Sequence, residues 1–188
     1  MARPRSDEKR QAILEAATRF IVAHGLSAPT AGIAKEAGIA NGSLFTYFKT
    51  KTELFNQLYL EIKTEMASVV MKSVREDGDV RDQYLRVWEN WTKWSVAHPE
   101  KRAVLAQLTA SDELTPETKM AGHKTMAPIA ALLQRIVAGG PMAKVPMSFV
   151  VALMNATAEA TMDAMTEDPA HAKKHCKTGF EALWRMVR

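Results

Sequence analysis

A chain of 188 residues with net charge +4 and 47% hydrophobic side chains is long enough for one medium domain, or a small one beside a larger, and too apolar for wholesale disorder. No run of 18 apolar residues appears, and the start, MARPRSDEKR, has no apolar signal-peptide core, so neither a membrane span nor secretion is expected. The single cysteine, Cys176, excludes an intramolecular disulfide framework and suits a reducing compartment, which makes the cytoplasm the expected location.

The charge is unevenly placed. Residues 1–52 hold eight Lys/Arg (Arg3, Arg5, Lys9, Arg10, Arg19, Lys35, Lys49, Lys51) against four acids (Asp7, Glu8, Glu15, Glu36), and the other 136 residues hold 17 of each sign. The whole excess sits in the first quarter, where an anionic partner such as DNA or a membrane surface can use it; chance asymmetry is the plainer reading.

Helical period dominates the chain, and strand alternation is missing, so the expected fold class is all-α. Ala12, Ile13, Ala16, Ala17, Phe20 and Ile21 recur at i, i+3, i+4 spacing, with Ser6 as N-cap and Gly25 as stop. Pro29 suits the first turn of a second, short helix over 29–36. Gly38 ends it, and a third follows over 41–47. Thr50 with Glu53 forms a capping box for a long helix striped by Leu54, Phe55, Leu58, Tyr59, Ile62, Met66, Val69 and Val70. Asp77-Gly78-Asp79 breaks it, and Asp79 caps a helix running to His98-Pro99. Further helices are expected over about 100–109, from Thr115-Pro116-Glu117 to Gly139-Gly140-Pro141, from Pro146 to about 166, and from Asp168-Pro169 to the C-terminus. That makes nine helices with short connections, and neither a repeat nor a low-complexity linker.

The stretch AGIANGSLFTYFKTKTELF is unlike its surroundings: it is short, nearly uncharged and broken by Gly38 and Gly42. Two short helices joined by a tight glycine-containing turn, behind a longer supporting helix, describe a helix-turn-helix. In that motif the second short helix lies in the DNA major groove with its N-terminal residues toward base edges. Asn41, Ser43 and Thr46 supply short hydrogen-bonding groups for bases or phosphates. Gly42 removes a side chain where backbone approaches DNA, Lys49 and Lys51 follow within reach of phosphate oxygens, and Leu44 and Phe48 face the small core. Arg3 and Arg5 are either a basic arm for a groove or a solvated terminus.

These residues resemble a known family. IAKEAGIANGSLFTYFKTKTELF, preceded by KRQAILEAATRFIVAHG, is similar to the DNA-binding domain of TetR/AcrR-type regulators, whose pattern reads roughly I-A-x-x-A-G-V-S-x-G-T/S-L-Y-x-Y/H-F-x-x-K-x-x-L. Ile33, Ala34, Ala37, Gly38, Gly42, Ser43, Leu44, Tyr47, Phe48, Lys51 and Leu54 fall on it, and the likeness covers about residues 9–56. Three departures stand out. Ala40 replaces the usual Ser or Thr before the recognition helix, passing the cap to Asn41. Phe45 replaces the usual Tyr and has no hydroxyl for a phosphate. The segment between Gly25 and Ile33 is one residue short, which leaves the contact role of Thr30 open. The DNA-contacting set implied is Asn41, Ser43, Thr46, Tyr47 and Lys51, with Lys49 beside them and Gly42 as the point of backbone approach.

Residues 1–52 are thus expected to form the DNA-binding domain and 53–188 an effector-binding and dimerisation domain. At ~100° per residue, Tyr84, Val87, Trp88, Trp91 and Trp94 share one arc of the helix over 80–97, with His98 in line. Such a face is core packing or the wall of a small-molecule pocket; the resemblance raises the second option, with His123 as a further candidate. Ala152, Ala156, Ala160 and Ala164 form a low ridge at i+4 spacing, and Phe180, Leu183, Trp184 and Val187 add an apolar edge. The family's usual dimer, two helices per subunit in a four-helix bundle, makes these the expected interface; packing within one chain is the alternative.

Asp168, His171 and His175 with Cys176 offer one face to a metal, but a solvated or dimer-facing helix is the favoured reading, and no metal or other cofactor is expected. Glu159 and Asp163 stand four apart on an apolar helix and are as readily salt-bridge or solubility groups as a carboxylate pair. With no phosphate-cradling glycine loop and no nucleophile elbow, an enzyme is not expected. The resemblance implies a homodimeric repressor of a palindromic double-stranded operator, relieved by a small-molecule effector. A regulator without an effector, or a metal-responsive one, is the alternative.

Overall fold

The computed structural model describes residues 5–74 and 77–188; Arg3 and the side chains of Arg5 and Ser6 lie outside the described residues. Ten α-helices account for the described fold: α1 Arg5–His24, α2 Thr30–Glu36, α3 Asn41–Tyr47, α4 Lys51–Val70, α5 Val80–Ala97, α6 Pro99–Thr109, α7 Pro116–Thr125, α8 Ala127–Val137, α9 Met147–Glu167 and α10 Ala172–Val187. No strand occurs among the described residues, as the helical periodicity predicts. The single helix expected from Thr115 to Gly139 is divided at Met126. Pro128 is the reason: its nitrogen cannot donate to the Lys124 carbonyl, so the ladder stops and restarts. The last helix is likewise preceded by a 3₁₀ turn, Pro169–His171.

The chain forms two compact units: one from the residues up to Thr64 with Pro99–Lys124, the other from Glu65–His98 with Thr125–Arg188. In the first unit α1 packs on α2 and α6. Ile13, Leu14, Ala16, Ala17 and Ile21 are buried, while Ala12, expected on the same face, is exposed. Phe20 remains half-buried because its ring lies over Gly32 of α2, where a Cβ would stand 2.1 Å from the ring tip. Gly32 is therefore a contact residue that permits α1 and α2 to meet closely. Asn56 on α4 holds the α6–α7 connection. It donates to the Thr52 carbonyl at 2.6 Å and the Glu113 carbonyl at 2.8 Å, and its Oδ1 accepts from Thr115 N–H at 2.9 Å.

In the second unit α5 packs against α8, α9 and α10. Asp79 caps it as expected, accepting from the N–H groups of Arg81 and Asp82 at 2.8 and 3.3 Å. The Arg81 guanidinium lies over the rings of Phe180 and Trp184, 5.2 and 5.8 Å from their centroids, and pairs with Glu181. One side chain thereby ties α5 to α10 by charge and by cation–π attraction at once.

Candidate nucleic-acid interface

The turn between α2 and α3 is set by Gly38, whose φ of +68° is the left-handed conformation that other residues resist. Ile33 and Ala34 of α2, and Leu44 and Phe48 at the far side of the turn, are buried. They fix α3 with a defined outward face. Taking ~100° per residue, that face centres on Gly42 and Thr46, flanked by Phe45 and Ser43, with Asn41 at the start. Asn41, Gly42, Ser43, Phe45 and Thr46 are all exposed, and Tyr47 is half-buried. Thr30, the first residue of α2, is also half-buried.

The capping of α3 departs from expectation. Ala40, not Asn41, occupies the N-cap, with φ −66° and ψ 143°, and no side chain hydrogen-bonds there. Asn41 sits one position too far along to reach the N–H groups a cap serves, which leaves its amide unspent on the helix. The Thr46 hydroxyl donates to the Ser43 carbonyl at 2.7 Å, so its oxygen faces outward as an acceptor.

Gly42 is the informative position. Nothing lies within 4 Å of a Cβ built on it, and its φ is not among the positive ones. Among the described residues, neither packing nor backbone geometry calls for glycine there.

The cationic groups around this face are held in different ways. Thr50 and Glu53 cap α4: Thr50 Oγ1 accepts from Glu53 N–H at 3.0 Å, and Glu53 reaches back to the Lys49 N–H at 2.8 Å. This is the expected capping box displaced by one residue, and it orders the backbone at Lys49. The Lys49 side chain is exposed, and the Lys51 ammonium stands 5.3 Å from the Phe55 ring centroid. Arg10 is engaged internally, donating to Gln57 at 2.8 Å, pairing with Glu61 at 3.5 Å and covering the Phe48 ring. Arg19 of α1 pairs with Glu36 of α2 at 2.9 Å.

The aromatic residues expected to line a pocket are mostly core. Tyr84, Trp88 and Trp94 are buried. Their polar ends are spent inside the unit: Trp88 Nε1 donates to the Cys176 carbonyl at 2.9 Å, Trp94 Nε1 to Glu65 at 3.2 Å, and the Tyr84 hydroxyl to the Met154 sulfur. Burial also pushes the Tyr84 phenol up, well out of the physiological range. Trp91 stays half-buried, edge-on to Trp88 at 6.2 Å, and His98 closes α5 with its ring stacked on Trp94. His123 is exposed on α7. A cavity of about 260 Å³ lies beside the α4–α5 connection, with Ser73, Asp79, Asp82, Gln83 and Arg86 in its wall; no expected pocket residue borders it.

The expected dimer surface divides. Ala152, Ala156 and Ala160 are exposed along α9. Phe180, Leu183 and Val187 are buried within the subunit and have no surface to offer a partner, because the apolar edge of α10 faces α9 and α5. Trp184 is half-buried, stacked on Phe180 and covered by Arg81. Asp168 gathers His171 and His175, each with a ring nitrogen 3.0 Å from its carboxylate. Hydrogen bonds from His175 and then His171 hold that carboxyl below the usual range. Among the described residues no group of three or more such side chains is arranged to hold a metal ion. Cys176 is buried, and burial pushes its thiol up, away from nucleophilic chemistry.

Residues 13–58 match the family model of bacterial regulatory proteins of the tetR family. The HTH-type transcriptional regulator YhgD of Bacillus subtilis is 37% identical over 62 residues, 32% of each chain, so the match spans about a third of that relative's length. Likeness over nearly the full length comes from solved structures. A putative tetR family transcription regulator of Shewanella sp. PV-4 superposes with a TM-score of 0.84 at 29% identity, covering 95% of this chain and 97% of that one. The FadR regulator of Bacillus subtilis, solved in complex with stearoyl-CoA, shares the fold at a TM-score of 0.70 and 16% identity, over 95% and 99%. A helix-turn-helix with an outward, uncharged α3 among the described helices agrees with both comparisons: residues 13–58 form a DNA-binding domain of the tetR-family type, and the chain shares the all-helical fold of a solved tetR family regulator.

Proposed function

We propose that the chain acts in the cytoplasm as a homodimeric, ligand-relieved repressor that grips a palindromic operator with α3 of each subunit. The observation that carries the DNA-reading part is Gly42, a glycine with no reason inside the subunit and therefore with a reason outside it. Without a side chain at the centre of its outward face, the helix backbone can lie close to base edges. Asn41, Ser43 and Thr46 then reach bases or nearby phosphates, Tyr47 and Thr30 stand at the margins, and Lys49 and Lys51 neutralise phosphates.

One seven-residue helix reads too few base pairs for specificity, and two of them about 34–36 Å apart read successive major grooves. The exposed ridge of Ala152, Ala156 and Ala160 supports pairing through α9, since small residues let a second helix come close. Residues 1–52 are the DNA-binding part of this reading, and 53–188 carry dimerisation and the effector. The stearoyl-CoA in the FadR complex supports a small-molecule effector within this fold. An effector relieves repression only by binding the dimer that does not fit the operator better than the one that does.

The test is selection of genomic DNA by the purified chain at near-physiological salt. One enriched inverted repeat, bound by the wild type and lost by an Asn41→Ala, Lys51→Ala double variant, is the expected result; no enrichment over scrambled DNA overturns the reading. A regulator without an effector is the second reading, favoured by the internally bonded Tyr84, Trp88 and Trp94. Saturable quenching of Trp91 by a small molecule that also weakens operator binding decides for the first reading.

A further inference from the structure

We infer that Phe45 is a specificity residue that reads a thymine through its 5-methyl group in the major groove. The inference rests on α3 being the recognition helix and adds the base class it selects. Its neighbours at 44 and 48 are completely buried, whereas Phe45 leaves 40% of its surface in solvent. A phenyl ring with that much exposure contributes only part of its area to the fold, and it stands on the helix face otherwise made of Asn41, Gly42, Ser43 and Thr46. The exposed part of the ring gives the subunit nothing, so it calls for an apolar partner outside it. Among the groups on base edges in the major groove, the thymine 5-methyl is the apolar one.

The rest of the helix points the same way. NGSLFTY contains neither arginine nor lysine, so α3 has no bidentate partner for guanine O6 and N7, the commonest specific contact to a base. Its one amide side chain is Asn41, which matches adenine N6 and N7. Asn41 and Phe45 are one turn apart, about 6 Å along the helix axis. That separation is under two base-pair steps, at roughly 3.4 Å each, so the adenine and the thymine methyl fall within about two base pairs of one another. Phe45 lacks the hydroxyl that would turn the ring toward phosphate.

The experiment uses the full chain and the operator it selects from genomic DNA. Each thymine is replaced singly by deoxyuridine, which deletes the methyl group and leaves every hydrogen-bonding group in place. Affinity is read by fluorescence anisotropy of labelled duplexes. One thymine in each half-site is expected to stand out, its replacement weakening the wild type about fourfold, the worth of roughly 0.8 kcal/mol for one buried methyl. Phe45→Ala is expected to bind thymine and deoxyuridine duplexes alike, with unchanged helicity in circular dichroism. The wild-type scan stands without the variant. If no deoxyuridine changes the affinity, or if Phe45→Ala keeps the discrimination, the inference is wrong while α3 remains the reader. If the wild type retains no fragment at all, the DNA-reading assignment falls and takes this inference with it.

Discussion

The same substitution at two glycines should move stability in opposite directions and operator affinity at only one of them. Gly42→Ala adds a carbon with nothing within 4 Å, in a helical position with an ordinary φ. Replacing an exposed helical glycine by alanine stabilises by about 0.5–1 kcal/mol, chiefly by removing freedom from the unfolded chain. For a chain of this size that corresponds to a rise in Tm of roughly 1–4 °C. The added methyl stands at the centre of the face proposed to approach DNA, so operator affinity should fall at least about tenfold, ~1.4 kcal/mol, while the fold improves. Gly32→Ala places its carbon 2.1 Å from the tip of the Phe20 ring. Moving that ring, which also packs on His24, costs about 1–3 kcal/mol of overpacking and outweighs the helix gain. Its Tm should fall by several degrees, with operator affinity of the folded protein little changed. Thermal melts by circular dichroism give the stabilities, and anisotropy with a labelled operator gives the affinities. A Gly42→Ala protein that is more stable and binds as tightly as the wild type would refute the argument, since the glycine would then have no external reason.

Three further outcomes follow from particular contacts. Asn56→Ala should lose about 1–3 kcal/mol in urea unfolding, because it strands the Thr115 N–H and the Glu113 carbonyl in a half-buried connection. Asp168 titrates below its unfolded value of about 3.9, so its contribution is complete above that pH and is lost as pH falls through the depressed value. Asp168→Asn should therefore flatten the acid limb of Tm against pH below about pH 4. Lys51→Ala should make the plot of log affinity against log salt shallower by about one per subunit, the signature of a lost phosphate contact, whereas an equal slope would place Lys51 off the backbone.

How much of this was legible in the sequence depended on whether the signal was local. Apolar period, Asp79 as a cap, the Thr50–Glu53 pair and the glycine turn are written within a few residues of where they act, and the helix-turn-helix reads off them directly. The division at Met126 was legible too, in Pro128, but the apolar stripe of Ile129, Leu132, Leu133 and Ile136 begins directly after that proline and reads as one helix carried on. Gly32 was not legible. Its reason is the Phe20 ring, twelve residues away, and a glycine inside a helical pattern does not announce what will lie over it. The cap of α3 was misplaced for a related reason: Asn41 is a favourable cap type, yet the backbone turns at Ala40, and the fold tolerates an uncapped end on a seven-residue helix packed by Leu44 and Phe48.

The second unit carried an ambiguity that periodicity has no means to resolve. A stripe of large rings at helical spacing appears both in a core and in a pocket wall, because each buries the rings on one face. What separates the two is where the polar ends go. Trp88, Trp94 and Tyr84 each spend theirs on a group far away in sequence, at Cys176, Glu65 and Met154. A ligand reaching those rings would first have to open these bonds and then satisfy the groups it uncovered, at a cost of about 1–3 kcal/mol for each one left unpaired. The same reasoning separates the two halves of the expected interface: Phe180, Leu183 and Val187 are already buried and give α10 to the subunit, while the alanine ridge of α9 keeps its surface. A small molecule binding this unit would therefore gain most where surface remains, at half-buried Trp91 and His98 or in the polar cavity beside the α4–α5 connection, and least against the aromatic stripe that first suggested a pocket.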